Sequence, residues 1–411
     1  MSRDNLLQIV DSMRDEMVEC LKSLIAIPSD NPPGIYEEIS KYLDDKYKEL
    51  GLESEIVKVP DEEVKAHGLT TPRYNVLARL GKPGGKRLIL NPHIDAVPPA
   101  SGWSTDPYVA TIKEGRVYGR GACDSKNQCT VYGYALSAIK KAGIELAGEA
   151  VIVATADEET GGELGAGYML REGYSKGDWA ISEGNCYSII NAMGGCLHLK
   201  ATVKGKASHA AMPDQGIDAL ERMNAILTRL YAYRDTLKET TSQITGIKHP
   251  TMVVGTIQGG VKTNVVPSEC VITIDRRIIP EEDSSLVEAK IRSVIESARE
   301  SFPDLEVKVE RVMLADAYGP APADSEVIKA LERNGEKVLG EAPNVTGSNG
   351  FADSRFYWNM ERIPSVMYGA GPRGWVGCNA HGPDENVEIE DMVKAAKVIA
   401  LTVVDLLSGT E

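Results

Sequence analysis

The stretch Val151-Ile152-Val153-Ala154-Thr155-Ala156-Asp157-Glu158-Glu159-Thr160-Gly161-Gly162 constrains this chain more than any other. Its run of small and β-branched residues reads as a buried strand. Three consecutive acids follow it, and then glycines. A buried parallel strand that ends in acids delivers them to the carboxyl edge of a sheet, where open α/β folds hold their ligands. Two adjacent carboxylates can divide labour there, one holding a metal and its neighbour moving a proton. A solvated acidic turn reads equally well from this stretch alone, so the rest of the chain has to decide.

Two further expected strands end in the same way. Arg87-Leu88-Ile89-Leu90-Asn91 stops at Pro92-His93-Ile94-Asp95, and Trp179-Ala180-Ile181-Ser182 is followed directly by Glu183. Asp124 sits in a glycine-rich loop that opens a helix from about Ser125 to Ala142, and His381 lies in the loop Asn379 to Asn386. Coincidence at one strand end is cheap; at all three it is not. Imidazole and carboxylate donors without cysteine suit zinc, cobalt or manganese rather than a structural four-cysteine site. His93 and Asp95 are two residues apart, so in an extended segment they share a side. Asp95 is then placed to accept the second ring N–H of His93, which fixes the tautomer. A turn capped by Asp95 is the plainer alternative.

The chain has 411 residues, too many for one compact core, so two domains are expected. Helical periodicity predicts helices over about Asn5–Leu24, Ile35–Leu50, Asp324–Leu339 and Glu390–Leu407; strands are expected at Ser54–Val59, Asn75–Leu80 and Pro364–Gly369. Between Gly194 and about Arg311 the order becomes strand, helix, strand, strand, helix, strand. That is the split βαβ order of a ferredoxin-like module. The expected domains are 1–193 and 312–411, forming one mixed, mostly parallel α/β sheet flanked by helices, with 194–311 inserted. A net charge of -15 counts against nucleic acid and anionic membranes as partners. No run of eighteen apolar residues is present to span a membrane, and Met1 to Val18 reads as amphipathic rather than as a signal peptide. Seven scattered cysteines without a C-x-x-C pair suggest reduced thiols and a cytoplasmic location.

Taken together, these pieces resemble the metallopeptidase family of aminoacylase, acetylornithine deacetylase, succinyl-diaminopimelate desuccinylase and glutamate carboxypeptidase. The matching segments are Pro92–Pro98, Gly119–Lys126, Asp157-Glu158-Glu159, Glu183 and Ala380–Glu385. Each is weak alone; in this order they are specific. The resemblance implies a zinc-exopeptidase-like catalytic domain with an inserted lid and dimerisation domain. It implies that Asp124 bridges two metals, that His93 and Glu183 bind one, and that Glu159 and His381 bind the other. It makes Glu158 the general base and Asp95 the support of His93, and the peptide bond after Asp124 is often cis in that family. The resemblance implies two zinc ions per subunit, with cobalt or manganese as alternatives that the same ligands would accept.

Val203–Pro213 resembles the family's lid motif, which implies that His209 stabilises the oxyanion, in many members across a dimer. Gly259–Pro267 resembles the segment whose Asn264 contacts substrate. Arg277 matches the carboxylate-binding arginine, with Arg276 one residue away; either could instead pair with a carboxylate of the module. Gly347–Phe356 resembles the loop carrying a second substrate arginine, Arg355, although Asn349, Phe351 and Ala352 replace the usual glycine, threonine and serine. Cys123 reads as a small buried filler, and His67, His198 and His249 fall outside every motif. The expected reaction is hydrolysis of an N-acyl amino acid or small peptide bearing a free carboxylate, by a homodimer joined through 194–311. An alternative keeps the site but attacks an amidine, carbamoyl group or amino-substituted ring. A non-catalytic scaffold has no need of both Glu158 and Glu159.

Overall fold

The computed structural model describes residues 3–373 and 377–409. Its strands are β1 (Glu53–Lys58), β2 (Tyr74–Gly81), β3 (Arg87–Asn91), β4 (Thr111–Lys113), β5 (Arg116–Tyr118), β6 (Glu149–Ala154), β7 (Trp179–Ser182) and β8 (Ser188–Met193). They continue as β9 (Gly195–Lys204), β10 (Thr251–Gly259), β11 (Glu269–Ile278), β12 (Glu306–Ala315), β13 (Asn344–Ser348), β14 (Ser365–Met367) and β15 (Asn386–Glu388). The chain divides into two compact units. One comprises Met1–Asn191, Ala321–Thr346 and Ala352–Glu411, the other Ala192–Pro320 and Gly347–Phe351.

The larger sheet has the strand order β1-β2-β6-β3-β7-β14-β8-β13. It is mixed. The central strands β6, β3, β7 and β14 run parallel, while β1, β2 and β8 pair antiparallel at the flanks. Successive residues of the central strands feed opposite faces, as period two requires. Leu88, Leu90, Ala150, Ile152 and Ala154 join the core beneath the helices Lys126–Lys141 and Ile389–Leu407. Ile89, Val151 and Val153 join a second core with Leu164, Met169, Phe356 and Tyr357. With both faces covered, these strands carry almost no polar residue until they end. The expected α/β class is the one observed.

The second unit holds the four-stranded sheet β10-β11-β9-β12, antiparallel throughout. The helices Ala219–Thr236 and Ser284–Glu296 share a core with Leu197, Leu199, Ala201, Ile272 and Ile274 of the sheet. Asp218 and Asp283 cap these helices, each accepting from two backbone amides of the first turn.

The expected helix from Asn5 to Leu24 is two helices, Arg3–Ser12 and Arg14–Ile25, which meet at the buried Met13. Strands β4, β5, β8, β13 and β15 lie outside the sequence-based expectation. Four of them are short or polar: β4 and β5 form a tight hairpin, β15 joins it from far along the chain, and β13 closes an edge of the large sheet. No helix among the described residues is long and apolar enough to cross a membrane.

Candidate metal centre

Strands β6, β3 and β7 are neighbours and parallel, so their carboxyl ends lie side by side. His93 follows β3, Glu158 and Glu159 follow β6, and Glu183 follows β7. An isolated parallel bridge between His93 and Thr155 carries the pairing one step past the strand ends. The acids at the end of β6 turn sharply because Asp157 adopts a left-handed φ of 65°, with Gly161 and Gly162 following at 114° and 68°. Asp157 itself is diverted from the centre. Its carboxylate accepts from Arg73 Nε at 2.7 Å, Tyr36 Oη at 3.0 Å and Asn31 Nδ2 at 3.1 Å, all buried.

Asp124 arrives from a different direction. Strand β5 pairs antiparallel with β15, which draws the Gly119–Asp124 loop against the loop carrying His381. Glu385, fully buried, clamps the two together. Its carboxylate accepts from Arg120 Nη1 at 2.5 Å and from the backbone N–H groups of Gly121, Cys123 and Asp124 at 3.1, 2.8 and 3.0 Å. Arg120 also donates to the carbonyl oxygens of Gly382 at 3.2 Å and His381 at 3.4 Å, and stacks 5.2 Å from the Trp103 ring. The Asp124–Ser125 peptide bond is cis.

The result is a convergence of imidazoles on the two oxygens of one carboxylate. His93 Nε2 lies 3.0 Å from Asp124 Oδ1, and His381 Nε2 lies 3.2 Å from Asp124 Oδ2. His381 Nε2 is also 3.2 Å from Glu159 Oε2. Ligand atoms of His93, Asp124 and Glu159 all lie within 4.8 Å of one another. Glu159 Oε1 and Glu183 Oε2 are buried without a hydrogen-bond partner. Buried carboxylate oxygens left unpaired are costly, and a cation is what such a donor set suits. The residues present therefore fit a divalent metal.

Asp95 organises the centre more widely than expected. His93 Nδ1 lies 3.0 Å from the backbone carbonyl oxygen of Asp95 and 3.4 Å from its carboxylate. That carboxylate accepts from the backbone N–H of Glu158 at 3.3 Å, the N–H of Glu159 at 3.2 Å and Asn31 Nδ2 at 2.9 Å. One side chain thus orients both acids at the end of β6.

The electrostatics follow from crowding acids where water is scarce. Burial pushes the Glu183 carboxyl up to about 8; His93 opposes this, and Asp353 and Asp124 add to it. Burial also raises Glu158 well above the carboxylate range, against His93 and with help from Glu159, Asp353 and Glu183. Glu159 is raised by burial as well, in part offset by His381. Hydrogen bonds to Asp124 and Glu159 lift the half-exposed His381 ring to about 11, against the partial loss of water around it. For His93, burial opposes the charged ring, yet its bonds to Asp124 and Asp95 prevail and raise it. Asp124 is held low: burial acts against it, but both histidines outweigh burial.

Sequence reasoning did not single out Asp353 and Glu385, although both lie inside segments it quoted. Asp353 is fully buried, accepts from Thr155 Oγ1 at 2.9 Å and is pushed up to about 7 by burial, with Arg355 opposing. Arg355 turns back on the acidic turn. It donates to the carbonyl oxygens of Gly161 and Ala352 and lies 4.0 Å from the Phe356 ring centre.

In the second unit, His209 and Asn264 are exposed neighbours. His209 bridges Val265, and the Ala210 N–H donates to the Asn264 carbonyl oxygen at 3.1 Å. Arg276 is buried and paired with Glu282 at 2.5 Å, whereas Arg277, 38% exposed, pairs with Asp275 at 3.0 Å. Both arginines therefore meet module carboxylates, the alternative left open by the sequence.

The model of peptidase family M20/M25/M40 matches residues 89–405, a span that runs from β3 to the last helix. The chain belongs to peptidase family M20/M25/M40. It is 28% identical to the acetylornithine deacetylase of Photorhabdus laumondii over 398 residues, covering 93% of this chain and 95% of that one. It is 31% identical to the acetylornithine deacetylase of Myxococcus xanthus over 345 residues, covering 82% and 85%. The fold is shared with the yeast dipeptidase Dug1p, from Saccharomyces cerevisiae, at a TM-score of 0.79, 16% identity and 98% coverage of each chain. It is shared also with human carnosine dipeptidase 1, at a TM-score of 0.79, 20% identity and 99% coverage of each. As a member of this M20 family, the protein is a metal-dependent hydrolase acting on amide bonds.

Proposed function

We propose that this M20 enzyme removes the acyl group from an N-acyl amino acid, or cleaves a small peptide, whose free carboxylate it recognises. The observation that carries the reading is the single carboxylate Asp124 set between two imidazoles, 3.0 Å from His93 and 3.2 Å from His381. In this reading His93 and Glu183 hold one divalent cation, Glu159 and His381 hold a second, and Asp124 serves both. Zinc suits these donors, and cobalt or manganese would serve. A bound metal pair supplies an acidified water and polarises the scissile carbonyl.

The chain's own residues do the rest. Glu158 takes a proton from the attacking water and passes it to the leaving nitrogen, which an amide needs because its nitrogen leaves poorly. A carboxyl raised by burial suits a group that must carry a proton between two atoms. Asp95 keeps Glu158 and Glu159 at fixed positions through their backbone N–H groups. His209 is assigned to the developing oxyanion, and Asn264, Arg277 and Arg355 to the substrate. The reading includes a cytoplasmic homodimer joined through residues 194–311. The names of the curated relatives make N-acetylornithine the first substrate to try. The test is a panel of N-acyl amino acids and dipeptides offered to the metal-loaded enzyme, with free amino acid as the readout. Release of ammonia in place of an amino acid would overturn the substrate class.

A further inference from the structure

A second cluster of metal-ligating side chains lies in the inserted unit, among residues to which no motif assigned a role. Cys196 and His198 are two apart on β9, and Asp275 faces His198 directly across the β9–β11 ladder. Period two therefore puts all three on the sheet face opposite the one its two helices cover. Cys196 Sγ lies 3.2 Å from His198 Nε2 and 3.7 Å from Asp275 Oδ2, and these last two atoms are 2.9 Å apart. On the other side of β9, strand β12 sets Ala315 opposite Cys196 and Met313 opposite His198, so no further charge enters from there.

We propose that Cys196 Sγ, His198 Nε2 and Asp275 Oδ2 form a second cation site, selective for a borderline-soft divalent ion such as Zn²⁺. A tetrahedral zinc with bonds of about 2.3 Å to sulfur and about 2.0 Å to nitrogen and oxygen sets its ligands roughly 3.3–3.6 Å apart. The observed triangle needs adjustments of only a few tenths of an ångström to meet that. The buried sulfur favours zinc over a hard, oxygen-seeking ion. His198 and Asp275 are 36% and 28% exposed at their side chains, which leaves an open side for water as a fourth ligand.

The charges also suit a cation. Thiolate and carboxylate together bring two negative charges, and Arg277 returns one positive charge. Arg277 donates to Asp275 Oδ1 through Nε at 3.0 Å and to Oδ2 through Nη2 at 3.2 Å. A metal on Oδ2 leaves Oδ1 to the arginine, so the site is coupled to the residue proposed above to meet the substrate carboxylate. Burial first, with Asp275 adding and Arg277 opposing, pushes the Cys196 thiol up to about 12. Binding of the ion through sulfur therefore releases the thiol proton.

Co²⁺ is the probe, because thiolate coordination gives a charge-transfer band in the near ultraviolet that imidazole and carboxylate ligands do not. The full-length chain, stripped of metal, is titrated with Co²⁺. The expected result is a thiolate band that Zn²⁺ abolishes by competition and that Cys196→Ser removes. His198→Gln and Asp275→Asn, each at a partly exposed position, are expected to weaken Co²⁺ binding by at least about 100-fold, beyond what loss of an outer partner would do. Absence of a thiolate band at saturating Co²⁺ would overturn the site. So would an unchanged Co²⁺ affinity in folded His198→Gln protein, or a band that persists in Cys196→Ser protein, where Cys123 beside Asp124 would be its source. Should Cys196→Ser fail to fold, the His198→Gln and Asp275→Asn titrations decide.

Discussion

At the carboxyl ends of β6, β3 and β7, imidazoles and acids are supplied by loops; on β9 and β11, strand register supplies them. The first arrangement unites residues as far apart as His93 and His381 and leaves Glu159 Oε1 and Glu183 Oε2 buried and unpaired. The second sets Asp275 opposite His198 on a half-exposed ladder, where Arg277 already satisfies the carboxylate. Parallel strand ends can hide several charges in one place, because loops close over them. A ladder presents its side chains in pairs and keeps them near solvent. Crowding and dryness, rather than residue type, prepare acids for proton transfer.

The largest effect expected from breaking this contrast is at Glu158. Glu158→Gln should keep its metal content, measured by elemental analysis, and lose about 10²–10⁴-fold in turnover. Undiminished hydrolysis would remove Glu158 from the role of base. Next comes the clamp. Glu385→Gln leaves Arg120 buried without its counter-charge, a loss of about 3–5 kcal/mol in denaturant unfolding. The same change loosens the loop of Asp124 and should weaken metal binding about 10–100-fold. A variant of native stability would show that the β5–β15 pairing alone holds the loop.

A smaller effect sharpens the role of dryness. With metal chelated, Glu183 titrates near 8 instead of 4.5, and Asp353 near 7 instead of 3.8. Both folded-state values are raised, so the folded chain binds protons more tightly than the unfolded one. The stability this brings is complete below the ordinary carboxylate range and is lost as pH climbs toward 8. Melting of the chelated protein should therefore fall by several degrees across that window, and the metal-loaded protein should not follow it. A flat profile after chelation would mean that these carboxyls are better solvated than their burial implies. The smallest effect is on the ladder. His198→Gln removes a partly exposed hydrogen bond to Asp275 and should cost no more than about 1 kcal/mol of stability without added metal.

Much of this was legible in the sequence, for a local reason. Apolar runs covered on both faces mark β3, β6 and β7, and the first polar residues after them, His93, Glu158 and Glu183, stand at the edge where ligands bind. The βαββαβ order of the inserted unit could be read because each of its strands alternates on its own. Boundaries slipped where local pattern is mute, as at Met13, which divides one long apolar periodicity into two helices.

What the sequence alone determined was which residues reach a sheet edge, since burial of a strand depends on its own side chains. Which of those residues meet was settled by packing between distant segments. Strand order put β3 between β6 and β7. Pairing of β5 with β15 brought Asp124 to His381, and Glu385 locked the two loops through four hydrogen bonds. The same packing turned Asp157 toward Arg73, Arg355 toward Gly161 and Arg277 toward Asp275. Contacts between residues so distant along the chain leave no periodic trace, because their geometry exists only once the cores on both faces of the sheet have closed.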